Sequence, residues 1–121
     1  MTDDGNIVNK RELIDRCLTH RGAFEDYPFD ENWACIRHSG NRKIFAFIYE
    51  REGGLYVNLK CEPVRADVLR QIYSGVLPGY HMNKEHWNTV VMCGDVPDGE
   101  LFEMVCHSYK LTEPKERKAK F

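Results

Sequence analysis

Lys43-Ile44-Phe45-Ala46-Phe47-Ile48-Tyr49-Glu50, Arg51-Glu52-Gly53-Gly54, Leu55-Tyr56-Val57-Asn58-Leu59-Lys60-Cys61 reads as strand, turn, strand. β-branched and aromatic residues dominate both runs, and the glycine-bearing tetrapeptide between them suits a tight antiparallel reversal. In the second run Leu55, Val57, Leu59 and Cys61 face one way while Tyr56, Asn58 and Lys60 face the other, as a half-buried strand requires. The first run does not alternate. Ile44, Ala46 and Ile48 take one face and Phe45, Phe47 and Tyr49 the opposite one, so both faces call for cover, helices on one side and a long loop or a partner subunit on the other, unless the aromatic face is an exposed platform for stacking bases.

Upstream, residues 33–37 form a third β segment, joined to residue 43 through the turn His38-Ser39-Gly40-Asn41, so the three segments predict an antiparallel meander. Before it stands a helix over residues 10–21. Asn9 caps it, Glu12 completes a capping box, Val8 staples to Leu13, and Leu13, Ile14, Cys17 and Leu18 make its apolar stripe. Gly22 is placed to end it. Downstream, Glu62-Pro63 opens a second helix that runs to Gly75, with Val64, Val68, Leu69, Ile72 and Tyr73 as its buried stripe and Arg65 and Arg70 towards solvent. A loop over residues 76–86 leads to a short strand at 87–92. A third helix begins near Asp98, with Leu101, Phe102, Val105 and Tyr109 at helical spacing. The fold class is therefore α+β, an antiparallel sheet with helices packed on one face, in the order α-β-β-β-α-β-α. Residues 9–112 make a single domain, 1–8 an N-terminal tail and 113–121 a polar C-terminal tail.

Composition narrows the function classes. The 121 residues are 42% apolar and 30% charged, enough for one hydrophobic core without disulfides or metal. Thr2 to Asn6 is acidic and polar, unlike a secretory leader, and the longest mainly apolar run, 44–49, is far short of the roughly 20 residues that span a bilayer as a helix. A cytoplasmic protein without membrane association is expected. Cys17, Cys35, Cys61, Cys93 and Cys106 are odd in number and widely spaced, which suits reduced, mostly buried thiols. The net charge of −2 is unevenly spread: residues 1–32 hold four basic and eight acidic groups, residues 33–94 eight and five, residues 95–121 five and six.

No phosphate loop, nucleophile elbow or calcium loop is present. His81, His86, Cys93 and His107 lack the spacing of a structural zinc site, so neither metal nor cofactor is expected. A histidine at 81 or 86 has the titration range of a general base, but no nucleophile pairs with either. No catalytic residues are assigned, and a binding role is expected ahead of an enzymatic one.

The least generic segment is Leu77-Pro78-Gly79-Tyr80-His81-Met82-Asn83-Lys84-Glu85-His86-Trp87-Asn88-Thr89-Val90. Its proline-glycine turn, histidine, asparagine-lysine pair and histidine-tryptophan pair before a strand resemble the MmcQ/YjbR family. Tyr27-Pro28-Phe29, Asn58-Leu59-Lys60-Cys61 with Pro63, and Ser108-Tyr109 extend the resemblance over residues 10–112. It implies a fold similar to CyaY and the frataxins, and an activity described as predicted DNA binding through a double-wing motif. Frataxin-like iron binding does not carry over, because the first helix alternates Lys10, Arg11, Glu12, Asp15 and Arg16 and so lacks an uninterrupted acidic ridge.

Two binding readings follow. For DNA, Lys60, Arg65, Arg70 and Lys84 would meet phosphates, Arg42 and Lys43 would form a wing, and His86 and Trp87 would approach bases or sugars. Alternatively, Tyr80, His81, Lys84 and Trp87 line a cleft for a small molecule or protein segment. The chain is expected to be a monomer or weak homodimer.

Overall fold

Glu52 and Gly53 both take left-handed backbone angles (φ 49° and 80°), the geometry that matches the twist of two antiparallel strands joined by a two-residue turn. That turn links β3 (Ile44–Arg51) to β4 (Gly54–Lys60), with Arg51 opposite Gly54. The computed structural model, which describes residues 9–115, builds a six-stranded sheet around this hairpin. The other strands are β1 (Ala23–Asp26), β2 (Ala34–His38), β5 (Val76–Pro78) and β6 (Trp87–Val91). Their spatial order is β1-β2-β3-β4-β6-β5, and every pairing is antiparallel.

Three helices complete the chain: α1 (Lys10–Cys17), α2 (Pro63–Ile72) and α3 (Asp98–Thr112). Leu13, Ile14 and Cys17 of α1, Ala66 and Leu69 of α2, and Leu101, Met104 and Val105 of α3 join one core with Ile36, Ala46, Ile48, Val57, Leu59 and Val90 of the sheet. The helices thus cover one face, as the α+β reading requires. The element order is α-β-β-β-β-α-β-β-α, longer than expected by β1 and β5. Both are short edge strands, and Pro78 ends β5 where its missing N–H costs no ladder bond.

Several boundaries move for local reasons. Asn9 does cap α1, its side chain accepting from the Glu12 N–H at 2.9 Å, while Val8 lies outside the described residues. The helix stops at Cys17, not residue 21. Thr19 and His20 turn back onto Arg16 and Cys17, and the Thr19 hydroxyl takes the Arg16 carbonyl at 2.7 Å. Gly22 is left-handed (φ 74°), but at the entry to β1. Helix α2 ends at Ile72, and the Asp95 carboxylate then accepts from the N–H groups of Ser74 and Gly75 at 2.8 and 2.7 Å. Those donors hold its pKa below the usual carboxylate range.

The phase of α2 is a correction. Val64, Val68 and Ile72 are 78%, 47% and 61% exposed, whereas Ala66 and Leu69 are buried. Arg70 turns inward with the buried face and donates to the Asn88 side chain. In β3, a bulge places Phe45 between the residues paired with Ile36 and Arg37. The extra residue turns the Phe45 ring onto the helical side, against His38 and Tyr109. Only Phe47 and Tyr49 of the aromatic triplet remain on the opposite face.

Candidate functional site

The face of the sheet away from the helices is covered by two loops of this same chain. Residues 27–33 lead into β2, and residues 79–86 leave β5 and fold back before β6. Beneath them Asn58 of β4 is fully buried and satisfied: its side-chain oxygen accepts from the Tyr49 hydroxyl at 2.8 Å and the Thr89 hydroxyl at 2.7 Å. Its amide donates to the Tyr80 carbonyl at 2.9 Å, while the Tyr80 N–H donates to the Thr89 oxygen at 2.8 Å. This network presses the start of the second loop onto the centre of the sheet.

Gly79 permits the fold-back. A Cβ there would lie 2.8 Å from the Trp87 Cβ and 2.9 Å from the Trp87 carbonyl oxygen. Lys84 secures the far side, its ammonium donating to the Gly79 carbonyl at 2.9 Å. The Arg70 guanidinium donates to the Lys84 carbonyl and, at 2.7 Å, to the Asn88 side chain, whose amide reaches the Ala66 carbonyl. That is why Arg70 faces inward.

Aromatic rings fill the space between loops and sheet. The Trp33 indole stacks on Tyr49 with centroids 4.0 Å apart and planes 12° from parallel, and Phe47 meets both Trp33 and Trp87 edge-on. The Tyr80 ring runs nearly parallel to Tyr49 and carries the Arg51 guanidinium 4.3 Å from its centre. Burial, opposed in part by the Thr89 hydroxyl, pushes the Tyr49 phenol up to about 12, so it stays protonated and donates to Asn58.

Where the two loops face each other they leave a cleft of about 410 Å³ lined by Phe29, Asp30, Trp33, Phe47, His81 and Met82. Its walls are mostly apolar. His81 stands on its rim with a left-handed backbone (φ 61°), a conformation uncommon for a residue with a Cβ and often found where function dictates shape. Of the four residues expected to line a cleft here, His81 does so. Tyr80 packs behind it, Lys84 secures the loop, and half-buried Trp87 supports Phe47. Phe29, Asp30, Trp33, Phe47 and Met82 escape the sequence reading. The aromatic surplus of residues 44–49 signals a second packed face, but nothing local shows that residues 29–33 would complete it.

The basic residues singled out for DNA come from the β2–β3 turn, the end of β4, α2 and the loop before β6. Arg42 sits in the β2–β3 turn with its guanidinium over the Phe24 ring, and Lys43 is exposed beside it. Lys60 ends β4 opposite Trp87. Arg65 lines a different groove, between α2 and α3, together with His107 and Lys110. Arg70 and Lys84 are engaged in the loop contacts above, and the His86 imidazole is 4.0 Å from the Glu85 carboxylate. Arg65 therefore lies on the helical side of the sheet.

Among the described residues, no group of three or more His, Cys, Asp and Glu side chains is arranged to hold a metal ion, and no helix is long and apolar enough to cross a membrane. Cys17, Cys35 and Cys61 are buried, with burial pushing the Cys17 and Cys35 thiols up to about 12 and about 11, far from a reactive thiolate. Cys93 is exposed.

Residues 18–111, which contain the sheet, α2, nearly all of α3 and both loops, match the family model described as YjbR. The chain belongs to the YjbR family. An uncharacterized protein YyaQ of Bacillus subtilis (strain 168) is 36% identical, with 88% of this chain and 100% of that protein covered. An uncharacterized YjbR of Escherichia coli (strain K12) is 35% identical over 82% of each chain. Among solved structures, a Pseudomonas syringae protein superposes with a TM-score of 0.77 at 30% identity, covering 87% of this chain and 99% of that one. The Deinococcus radiodurans protein DR2400 gives 0.74 at 31% identity, covering 84% of this chain and 75% of that one. The cleft of this YjbR-family chain lies within the matched span.

Proposed function

We propose that this YjbR-family domain is a non-enzymatic binding module whose site is the cleft between residues 29–33 and 79–86. One observation carries the reading: hydrogen bonds from Asn58 and Lys84 hold the 79–86 loop and the Asn32 amide ties residues 29–33 to the Glu50 carbonyl, yet the two loops leave about 410 Å³ open over an aromatic floor. Ligand pockets are mainly apolar, largely pre-formed and sparing in polar groups. Here Asp30 and His81 are the polar groups, and no nucleophile accompanies them among the lining residues.

DNA binding is the less favoured reading for this chain. A duplex interface draws most of its affinity from free cations gathered on one surface, and here Arg70 and Lys84 are engaged in contacts within the chain while the Arg42 guanidinium lies over Phe24. The experiment is a fragment screen monitored by two-dimensional NMR on the ¹⁵N-labelled protein. Compounds that shift the Trp33 indole and residues 81–82, and lose this effect in Trp33→Leu, support the cleft. Shifts confined to other surfaces, or salt-sensitive binding of duplex DNA that leaves Trp33 unmoved, would reject it.

A further inference from the structure

We infer that the cleft recognises an organic cation, an ammonium group presented to the Trp33 and Phe47 rings beside the Asp30 carboxylate; this deepens the cleft reading and rests on it. Three aromatic residues, Phe29, Trp33 and Phe47, line the space, and the negative face of an aromatic ring attracts a partly desolvated cation. The Trp33 ring needs no ligand to take up its position. It already lies flat on Tyr49, which is 1% exposed and anchored by Asn58, so the indole is oriented in advance and little ordering cost remains on binding.

Charge selects the sign of the ligand. Asp30 is the one acidic group lining the cleft, and no lysine or arginine lines it. The Asp30 carboxylate is held at the cleft by its own turn, one oxygen accepting from the Asn32 N–H at 2.8 Å and the Trp33 N–H at 3.1 Å. The same turn fixes carboxylate and indole relative to each other. Of the cations on neighbouring elements, Arg37 is paired with Asp26 at 3.2 Å, Lys10 is held on the Asn32 carbonyl at 2.6 Å and Arg51 over Tyr80, and none of the three is among the residues lining the cleft. An anion would meet Asp30 with no counter-charge in the wall, and a neutral ligand would leave the carboxylate and the ring quadrupoles unused.

The ammonium could belong to a free small molecule or to a modified peptide side chain, so both are tried. The ¹⁵N-labelled protein is titrated at pH 8, above the ordinary histidine range, with choline, with N-acetyl-trimethyllysine amide, and with 3,3-dimethylbutan-1-ol as the neutral isostere. Trp33 and Trp87 are the two tryptophans, so their indole N–H signals separate the cleft from its support. A cation is expected to move the Trp33 signal saturably, with affinity about tenfold above the neutral isostere. The tighter of the two cations identifies the source. Asp30→Asn, an exposed substitution, should weaken cation binding several-fold and leave the isostere unchanged. Equal binding of cation and isostere, or an indifferent Asp30→Asn, would overturn the inference and leave the cleft reading standing. Failure of both cations to move Trp33 also overturns it, and the fragment screen then decides the cleft independently.

Discussion

Arg70 and Asn88 hold each other across the end of the sheet: the guanidinium Nε donates to the Asn88 side-chain oxygen at 2.7 Å and a terminal nitrogen donates to the Lys84 carbonyl. One side chain thus satisfies a buried asparagine and ties down a loop. Arg70→Ala should lower stability by about 1–3 kcal/mol in urea unfolding, because Asn88 and Lys84 lose charge-assisted partners. Arg70→Lys should recover only part of this, since an ammonium cannot span both acceptors with the planar fork of arginine. Faster amide exchange confined to residues 80–86 would accompany the loss.

Asn58 is the polar centre of the covered face. Replacing it with leucine, of similar size, strands the hydroxyls of Tyr49 and Thr89 and the carbonyl of Tyr80. A loss of about 2–4 kcal/mol is expected in chemical denaturation. A change within about half a kcal/mol would show that water replaces the network.

Gly79→Ala and Gly99→Ala make a matched pair. The first places a methyl 2.8 Å from the Trp87 Cβ and 3.1 Å from the Met82 Cβ, whereas the second meets nothing within 4 Å. Overpacking should cost the first variant about 1–3 kcal/mol. The second lies in α3 and should gain up to about 1 kcal/mol from reduced backbone freedom. Thermal unfolding of the two variants in parallel tests the sign of each.

Stability should fall in mild acid. Burial lowers the pKa of His38, His20 and His107, and for His107 the positive charge of Arg65 adds to this. Each is therefore easier to protonate in the unfolded chain. Their contribution is complete above the unfolded histidine pKa of about 6.5 and is lost as pH falls through the lower folded values. His38, 2% exposed and sharing a hydrogen bond with Thr112 at 2.8 Å, should dominate. The urea midpoint is expected to be lower at pH 5 than at pH 7.5, and His38→Leu should flatten that difference.

The parts of the fold legible in the sequence are those with local causes. Asn9 and Glu12 mark the start of α1, Glu52-Gly53 the hairpin, and Pro63 the first turn of α2, because capping, left-handed turns and proline act within a few residues. The phase of α2 was not legible. Val64, Val68 and Ile72 recur at helical spacing, yet the interior side is chosen by Asn88, which draws Arg70 inward from another element. Edge strands β1 and β5 are too short for a periodic signal. At the cleft, His81 announces itself through an unusual segment, but Trp33 depends on Asp30 to turn the chain and on Tyr49 to receive the ring.

The Arg70 bridge also joins two surfaces that the sheet would otherwise insulate. Helix α2 displays Val64, Val68 and Ile72 to solvent, and the same helix grips, through one guanidinium, the loop that carries His81 and Met82 to the cleft. The exposed stripe of α2 and the cleft wall thus share one anchor, and any coupling between them would act equally in both directions, as thermodynamic reciprocity requires.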